Sequence, residues 1–378
     1  MSLKLLGTLP SRLADSGWTV HLVSPGIHID DSNHRRIHHH NVGIERNPKI
    51  GSDILSLVVL VRLLRSLKPA VVVGATPKAS FLSALAGFLV RTPSRVYFIW
   101  GLRLETASGI HRKALWVLEN LTAKFSTHLI AVSPSLRDAY RRERLGGNRR
   151  IEVLGHGSSK GVALQTFRPA FSFETRELEE EFVKIGLVPG IPVIGYFGRL
   201  AKDKGLEFLA ASRKILATQN VDHQVLAVGA EETQGESIRK LNEAGRPVVH
   251  LGPVNDTSRF YRMVDILCLP TLREGMPNVC LEAAASGVPV VTTNVTGAVD
   301  SVLPGVTGLV VESGSAEALA LALRSVISDP ALIRKLSSSS RPWVECHFDE
   351  KVVVKTYLDY LEKLRDPSLS SARKHGQR

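Results

Sequence analysis

The sequence predicts an α/β protein with two doubly wound domains, and three observations support this fold class. The chain has 378 residues, which is too many for one ordinary hydrophobic core. Short apolar runs alternate with helical patterns throughout, as is typical of βαβ units around parallel sheets. A stretch at 156–182 that contains Gly, Ser and Pro divides two such series. We therefore expect domains at 1–170 and 171–345, followed by a helical and basic segment at 346–378.

The first domain is expected to contain five strands that are separated by helices, for example at 53–67 and 112–125. A doubly wound domain normally opens with a buried strand and a Gly-rich turn. Residues 3–17 already have the pattern of the first helix, so the first strand of the N-terminal domain is expected to be missing. The predicted strands are 19–24, 70–75, 95–100, 128–133 and 150–155.

The second domain is expected to contain six strands in the same alternating pattern. After it, residues 341–365 predict one helix that crosses back to the first domain, and the Ser-rich basic tail at 366–378 is expected to be disordered. The predicted strands are 192–198, 224–229, 248–252, 265–270, 288–293 and 307–311.

Composition predicts a cytoplasmic globular protein. Hydrophobic residues make up 44% of the chain and charged residues 22%. The longest apolar runs, such as 79–90, are shorter than the roughly 20 residues that cross a bilayer, and the N-terminus lacks the pattern of a secretory signal. The three cysteines have no metal-ligand spacing, and the run "HRRIHHH" at 34–40 is interpreted as a solvated loop. No metal site is expected.

Positive charge is concentrated in the N-terminal half. Residues 1–160 contain 23 Lys and Arg against 10 Asp and Glu, whereas the whole chain has 48 and 36. This asymmetry predicts an anionic partner, either nucleic acid or a membrane surface with anionic lipid, unless the charges form only a solvated face. Nucleic acid is disfavoured because the sequence has no aromatic stacking motif or reading helix. We therefore expect peripheral contact with the inner face of the plasma membrane.

Two carboxylates stand out in "REGMPNVCLEAAASGVPVV" at 273–291. Glu274 lies in a loop, and Glu282 lies in the helix that follows, for which Pro277 is predicted as the first residue. Carboxylates accept hydrogen bonds from vicinal hydroxyls, so the two acids could hold two polyols, such as a sugar and a ribose. The alternative is that one acid caps the helix and the other is exposed on it.

A second segment, "IGYFGRLAKDKGLEFL" at 194–209, predicts a strand, a glycine and a basic loop that opens a helix. Arg199 and Lys204 flank this turn after Gly198, and the positive end of the helix dipole adds to their field. A guanidinium fork and a lysine point charge suit a diphosphate. The alternative is that both are ordinary surface charges.

Together, these two segments closely resemble the donor domain of family-4 retaining glycosyltransferases of the GT-B fold, over nearly all of 190–345. The resemblance implies two Rossmann-like domains that face a cleft. It implies that Glu274 contacts the transferred sugar, that Glu282 contacts the nucleotide ribose, and that Arg199 and Lys204 neutralise the donor diphosphate. The backbone that surrounds the donor is implied to include Gly275, Met276, Pro277, Asn278 and Val279, with Gly252 and Asn255 beside the base.

The first half is similar to a subgroup that acts on lipid-linked intermediates of surface glycans. The stretches that carry this resemblance are 74–87, 101–119 and 156–169. The subgroup includes capsular and exopolysaccharide enzymes and N-acetylhexosaminyltransferases that use undecaprenyl-diphosphate-linked acceptors. An acceptor of this kind would explain the basic first half, and Lys78, Arg103 and Glu105 would then lie on the acceptor side.

The predicted function is transfer of a sugar, with retention, from a nucleoside-diphosphate sugar to a glycan or lipid-linked glycan of a surface polysaccharide. Glu274, Arg199 and Lys204 are the predicted catalytic residues. The donor is expected to carry a uridine nucleotide, and no cofactor beyond this nucleotide-sugar co-substrate is expected. The family's cleft histidine is replaced by Trp100–Gly101, so the leaving phosphate is expected to take the acceptor proton. The alternative is a truncated, non-catalytic subunit of a membrane glycan-assembly complex.

Overall fold

The computed structural model describes residues 6–26, 34–44, 50–74, 76–171 and 175–365. The chain divides into two compact units. The first unit consists of Met1–Gly161 and Lys351–Arg378, and the second consists of Val162–Glu350. Residues 162–170, which were predicted to end the first domain, therefore belong to the second unit.

In the first unit, the described strands form two parallel sheets. β1 (Val20–Ser24) pairs with β2 (Ile37–Asn41), and the second sheet has the order β3-β4-β5-β6. The strands of this second sheet are β3 (Val71–Gly74), β4 (Ser94–Ile99), β5 (His128–Ala131) and β6 (Ile151–Val153). The helices of this unit that precede Gly161 are Leu9–Asp15, Ile50–Leu67, Pro77–Leu89, Gly109–Phe125 and Pro134–Arg142.

β2 shows that the last part of the His-rich run is a strand and not a loop, although its histidines are exposed or partly exposed as predicted. Ile37 is buried, and the strand runs in parallel register with β1. His21 of β1 lies beside two histidines of β2, since its Nδ1 is 2.9 Å from Nε2 of His40 and its ring stacks on that of His38. Residues 27–33, and any strand before residue 6, lie outside the described residues, so the missing first strand stays a prediction.

The second unit has one sheet of six parallel strands with the order β12-β11-β10-β7-β8-β9. All residues of β7, β8, β10 and β11 are buried, which explains why these strands are mostly apolar in the sequence. Their polar residues, Gln224, Thr292 and Thr293, are hydrogen-bonded. The strands are β7 (Val193–Phe197), β8 (Gln224–Val228), β9 (Val249–His250), β10 (Ile266–Leu269), β11 (Val290–Thr293) and β12 (Gly308–Val311). The helices are Thr175–Lys184, Leu206–Thr218, Glu236–Leu241, Ser258–Tyr261, Asn278–Ala285, Ala316–Ile327 and Pro330–His347.

The strand order of this sheet reverses between β7 and β10, which are neighbours although two strands separate them in the chain. In doubly wound sheets, ligands bind outside the carboxyl ends of the strands at such a switch point. The loops that follow β7 and β10 are the two segments singled out in the sequence. The topology therefore predicts a ligand site at the position where the sequence motifs lie.

The prediction of one helix over 341–365 is wrong, because the structure has two helices that are separated at Phe348. Backbone hydrogen bonds from the N–H of Val162 to the Phe348 carbonyl (2.8 Å) and from the Glu350 N–H to the Val162 carbonyl (2.9 Å) replace helical ones there. Phe348 is itself buried. A buried side chain and a bridge to another segment thus stop the helix where local propensity would continue it.

The last helix, Glu350–Arg365, packs in the core of the first unit. Its Tyr357 contacts Phe98 edge-on with a ring distance of 5.3 Å, and Trp18 donates a 2.8 Å hydrogen bond to Glu362. The tail that was predicted to be disordered lies outside the described residues. Within the described part of the chain, no helix is both long enough and apolar enough to cross a membrane.

Candidate functional site

The candidate site is built on the loops that follow β7 and β10. These loops lie very close together, because a Cβ atom on Gly205 would stand 1.8 Å from the carbonyl oxygen of Pro270. Gly205 also has φ +66°, a backbone conformation that residues other than glycine rarely adopt. The Tyr196 hydroxyl donates a 2.6 Å hydrogen bond to the Arg199 carbonyl and thereby holds the start of the first loop.

One predicted cation and one predicted acid meet directly across these loops. Lys204 Nζ lies 2.6 Å from Oε1 of Glu274, and the two side chains are 14% and 16% exposed. Seventy residues separate them in the sequence, so only the parallel arrangement of β7 and β10 explains the contact. This contact is a charge-assisted hydrogen bond, and the remaining exposure of both side chains leaves them accessible to an anionic or hydroxyl-rich ligand.

The second predicted cation, Arg199, contacts two acids that sequence reasoning missed. It forms an ion pair with Glu232, from the loop after β8, and its Nη2 lies 3.8 Å from Oδ1 of Asp203. Asp203 Oδ2 also accepts a 2.9 Å bond from Arg273. The signal was present in the sequence, because Asp203 directly precedes Lys204 and Arg273 directly precedes the first acid of the pair.

The second predicted acid, Glu282, lies in the helix Asn278–Ala285 and is only 8% exposed. The alternative of an exposed helix glutamate is therefore wrong. The hydroxyl of Tyr261 donates a 3.0 Å hydrogen bond to Oε2 of Glu282. Burial and the nearby carboxylate raise the pKa of Tyr261 well above its usual value, so this phenol stays a hydrogen-bond donor. Its ring packs edge-on against Phe197 at the end of β7.

Residues 296 and 297 pack directly against the loop that lies between the two acids. Glu274 N–H donates a 3.2 Å bond to the Thr296 carbonyl, and a Cβ on Gly297 would lie 2.3 Å from the Gly275 carbonyl oxygen. The helix begins at Asn278, so Pro277 precedes it and is not its first residue. Met276 is buried, and the first turn of the helix directs backbone N–H groups towards the loop.

The loop after β9 contains the two residues implied for the nucleotide base. Gly252 has φ +65°, and its carbonyl accepts a 2.8 Å bond from the Gly229 N–H. Asn255 is exposed in the same loop. Since β9, β8, β7 and β10 are successive neighbours in the sheet, their carboxyl-end loops form one continuous edge. Gly198, Gly252 and both acids therefore lie along this edge.

The three residues predicted for the acceptor side lie in the first unit. Lys78 is in the first turn of the helix Pro77–Leu89 and forms an ion pair with Asp53. Arg103 and Glu105 lie in a 3-10 turn at Arg103–Thr106, where Arg103 is exposed. Their assignment to an acceptor stays a proposal. Among the described residues, no group of three or more His, Cys, Asp or Glu is arranged to hold a metal ion.

Comparison with known proteins identifies the class to which this fold and site belong. Residues 7–157 match the family described as "Glycosyl transferase 4-like domain", and residues 191–329 match "Glycosyl transferases group 1". The capsular polysaccharide biosynthesis glycosyltransferase CapM of Staphylococcus aureus is 35% identical over 317 residues, which cover 83% of this chain and 82% of CapM. The chain therefore belongs to the family-4 glycosyltransferases of the GT-B fold, and it is a glycosyltransferase.

Other similar proteins agree with this assignment. An Escherichia coli UDP-Gal:alpha-D-GlcNAc-diphosphoundecaprenol alpha-1,3-galactosyltransferase is 27% identical over 293 residues, or 76% of this chain and 74% of that one. Anabaena Alr3699/HepE, solved in complex with UDP and glucose, has a TM-score of 0.76 at 18% identity and covers 96% of both chains. Sucrose-phosphate synthase from Thermosynechococcus elongatus has a TM-score of 0.75 at 21% identity, over 94% of this chain and 92% of that one. The predicted fold class is confirmed.

Proposed function

We propose that this glycosyltransferase moves a sugar from a uridine-diphosphate sugar, with retention, to a lipid-linked or oligosaccharide acceptor in surface polysaccharide synthesis. The observation that carries the proposal is the contact between Lys204 and Glu274 at the switch point, with Arg199 and buried Glu282 beside it. The similarity to CapM, a glycosyltransferase of capsular polysaccharide biosynthesis, supports the assignment to surface polysaccharide synthesis. The similarity to the Escherichia coli galactosyltransferase that acts on a diphosphoundecaprenol-linked sugar supports the acceptor class. The UDP in the HepE structure supports the choice of nucleotide.

The cations suit the leaving group of this reaction. As the bond from the anomeric carbon to the diphosphate breaks, negative charge grows on the diphosphate, and Arg199 and Lys204 would stabilise it more than the ground state. Lys204 would exchange Glu274 for a phosphate oxygen. The released Glu274 carboxylate would then accept hydrogen bonds from hydroxyls of the transferred sugar.

The acceptor hydroxyl would form the new bond at the face of the sugar that the diphosphate leaves, which retains the configuration. Its proton would pass to an oxygen of the departing phosphate, so the charges balance without a protein base. Glu282 would bind the ribose hydroxyls with its carboxylate oriented by Tyr261. In this scheme the protein contributes chiefly alignment and electrostatic stabilisation.

The first unit is proposed to contact an anionic membrane surface, because a lipid-linked acceptor resides there. The helices Ile50–Leu67, Pro77–Leu89 and Gly109–Phe125 pack side by side, and they expose large apolar side chains among basic ones. Exposed arginines and lysines at these helices include Arg62, Arg65 and Lys113. Cations beside exposed apolar side chains favour binding to anionic lipid headgroups. The exposed apolar side chains include Ile54, Leu55, Val58, Phe88, Leu89, Ile110, Trp116 and Val117.

Calorimetry with UDP, UDP-GlcNAc, UDP-GalNAc, UDP-glucose and GDP-mannose tests the donor assignment. We expect binding of UDP and of one UDP-sugar, and we expect Glu282→Ala to weaken both at least tenfold through loss of the ribose contacts. Glu179→Ala, which removes an exposed glutamate from the helix Thr175–Lys184, is the matched control. A folded wild-type protein that binds none of these nucleotides would overturn the proposal and favour the non-catalytic alternative.

A further inference from the structure

Two ion pairs of opposite polarity join the loops after β7 and β10. Asp203 and Lys204 are adjacent on the first loop, and Arg273 and Glu274 are adjacent on the second. Arg273 Nη2 lies 2.9 Å from Asp203 Oδ2, and Lys204 Nζ lies 2.6 Å from Glu274 Oε1. All four side chains are between 14% and 21% exposed. The two loops are therefore joined by two adjacent ion pairs, in which residue 203 contacts residue 273 and residue 204 contacts residue 274.

Asp203 is tied to the second loop by its backbone as well as by its carboxylate. Its carbonyl accepts hydrogen bonds from the N–H of Leu272 (3.0 Å) and from the hydroxyl of Thr271 (3.3 Å). The close approach of Gly205 to Pro270 continues the same contact. The pair of Asp203 and Arg273 therefore lies at the position where the two loops are already bonded to each other.

The two ion pairs cannot have the same role if the site binds a nucleotide sugar as proposed. Lys204 and Glu274 must separate for one to bind phosphate and the other to bind sugar. When that contact opens, the loops keep their spacing only if another contact holds them. Asp203 and Arg273 are placed to supply it, because they sit beside the opening pair on both loops.

Asp203 also contacts the arginine that is predicted for the diphosphate. It lies between two guanidinium groups, with Oδ1 3.8 Å from Arg199 and Oδ2 2.9 Å from Arg273. Glu232 forms an ion pair with Arg199 as well, so Asp203 is not the acid on which the charge balance of Arg199 depends. The shorter contact of Asp203 is the one to Arg273, on the other loop.

We propose that Asp203 and Arg273 are positioning residues that brace the two donor loops together while Lys204 and Glu274 separate to bind the donor. Neither residue needs to touch the substrate for this role. The brace makes the loop spacing independent of the ion pair that the substrate opens. The activity consequences rest on the proposed function, whereas the bracing of the loops can be measured without any nucleotide.

The first test is hydrogen exchange of the whole protein without nucleotide. Asp203→Asn and Arg273→Gln are each expected to increase exchange in both 198–206 and 270–278, because loss of either partner leaves only the Lys204–Glu274 pair and the bonds to the Asp203 carbonyl to hold the two loops together. The double variant is expected to exchange no faster than the faster single variant, since the two residues act as one unit. The matched control is the surface pair of Asp222 and Arg246, with a bond of 2.8 Å. Asp222→Asn and Arg246→Gln should leave both loops unchanged.

The second test separates turnover from affinity. For the UDP-sugar that the wild type uses, kcat is expected to fall about tenfold in each single variant and no further in the double, while affinity for free UDP changes less than threefold. Asp203→Glu, which keeps the charge, is expected to recover part of kcat. A loss of activity through unfolding alone would not divide kcat from UDP affinity in this way.

The outcomes are distinguishable. Unchanged loop exchange in the single variants, or effects that multiply in the double variant, would overturn the brace even where the wild type binds UDP. Wild-type protein that binds no nucleotide would overturn the proposed function, and loop exchange would still decide whether the brace exists. A kcat equal to that of the wild type in both single variants would also overturn the inference.

Discussion

Glu119 is a buried acid in the first unit whose protonation affects stability. It is 6% exposed and accepts a 2.6 Å hydrogen bond from the Tyr97 hydroxyl. Burial raises its pKa to about 7, and the bond from Tyr97 offsets part of that rise. Because the pKa is higher in the folded state than the ordinary value of 4.5, the carboxyl favours folding when it is protonated. This contribution is complete below pH 4.5 and is lost as the pH rises through 7.

We expect Glu119→Gln to be as stable as the wild type near pH 5 and more stable at pH 8, by about 1–3 kcal/mol of unfolding free energy. The amide keeps an acceptor for Tyr97 and carries no charge at any pH. Urea unfolding followed by tryptophan fluorescence measures this, since Trp18, Trp100 and Trp116 lie in the first unit.

The control for this experiment is Glu179→Gln, at an exposed position of the second unit. This variant should change the free energy of unfolding by the same small amount at both pH values. A stability difference for Glu119→Gln that is the same at pH 5 and pH 8 would contradict the argument from burial.

At the scale of elements, two short helices determine the orientation of Glu282. The helix Ser258–Tyr261 ends with the tyrosine that donates to Glu282 of the helix Asn278–Ala285. Because Tyr261 is buried against Phe197, its hydroxyl has little freedom to follow the carboxylate elsewhere. The hydrogen bond between these two helices therefore orients the Glu282 carboxylate in the absence of a ligand.

Tyr261→Phe is expected to weaken UDP binding about three- to tenfold, which corresponds to the loss of one hydrogen bond of about 0.5–1.5 kcal/mol. Calorimetry with UDP measures it. Tyr360→Phe is the matched control, because Tyr360 bonds to Glu152 in the first unit. Equal affinities for Tyr261→Phe and the wild type would show that Glu282 is oriented by other contacts.

The elements that the sequence predicts most accurately are the buried strands. The strands of the second unit begin and end within about two residues of their predicted bounds, because buried parallel strands are continuous apolar runs. β2 was missed because "IHHHN" lacks such a run, and its pairing with β1 decides its conformation. The break at Phe348 was missed for a similar reason, since a distant segment, Val162, supplies the hydrogen bonds.

At the scale of the whole molecule, the first unit carries the excess positive charge and the exposed apolar helices. Leu55 and Ile110 are among its most exposed apolar residues, at 65% and 87%. The second unit also exposes a leucine, Leu321, at 69%. Exposure alone therefore does not distinguish the two units, whereas exposure together with positive charge does.

We expect the protein to co-sediment with vesicles that contain 30% phosphatidylglycerol and to bind weakly to phosphatidylcholine alone. Leu55→Glu with Ile110→Glu should reduce binding at least fivefold, because two apolar side chains leave the interface and two negative charges enter it. Added salt should weaken the binding through screening. Leu321→Glu is the control and should bind as the wild type does. Equal losses in the double variant and the control would contradict a membrane face on the first unit.

By itself, the sequence determined the fold class, most strands and the family, and it predicted the four charged residues that are proposed to bind the donor. These properties follow from local patterns of burial and from residues that lie close together in the chain. Only the tertiary structure decided which charge pairs with which. Ion pairs between residues 70 positions apart, such as that of Lys204 with Glu274, exist because β7 and β10 are neighbours at the switch point. The proposed roles of Asp203, Arg273 and Tyr261 depend on contacts of the same kind, because the folded sheet brings together residues that the chain keeps apart.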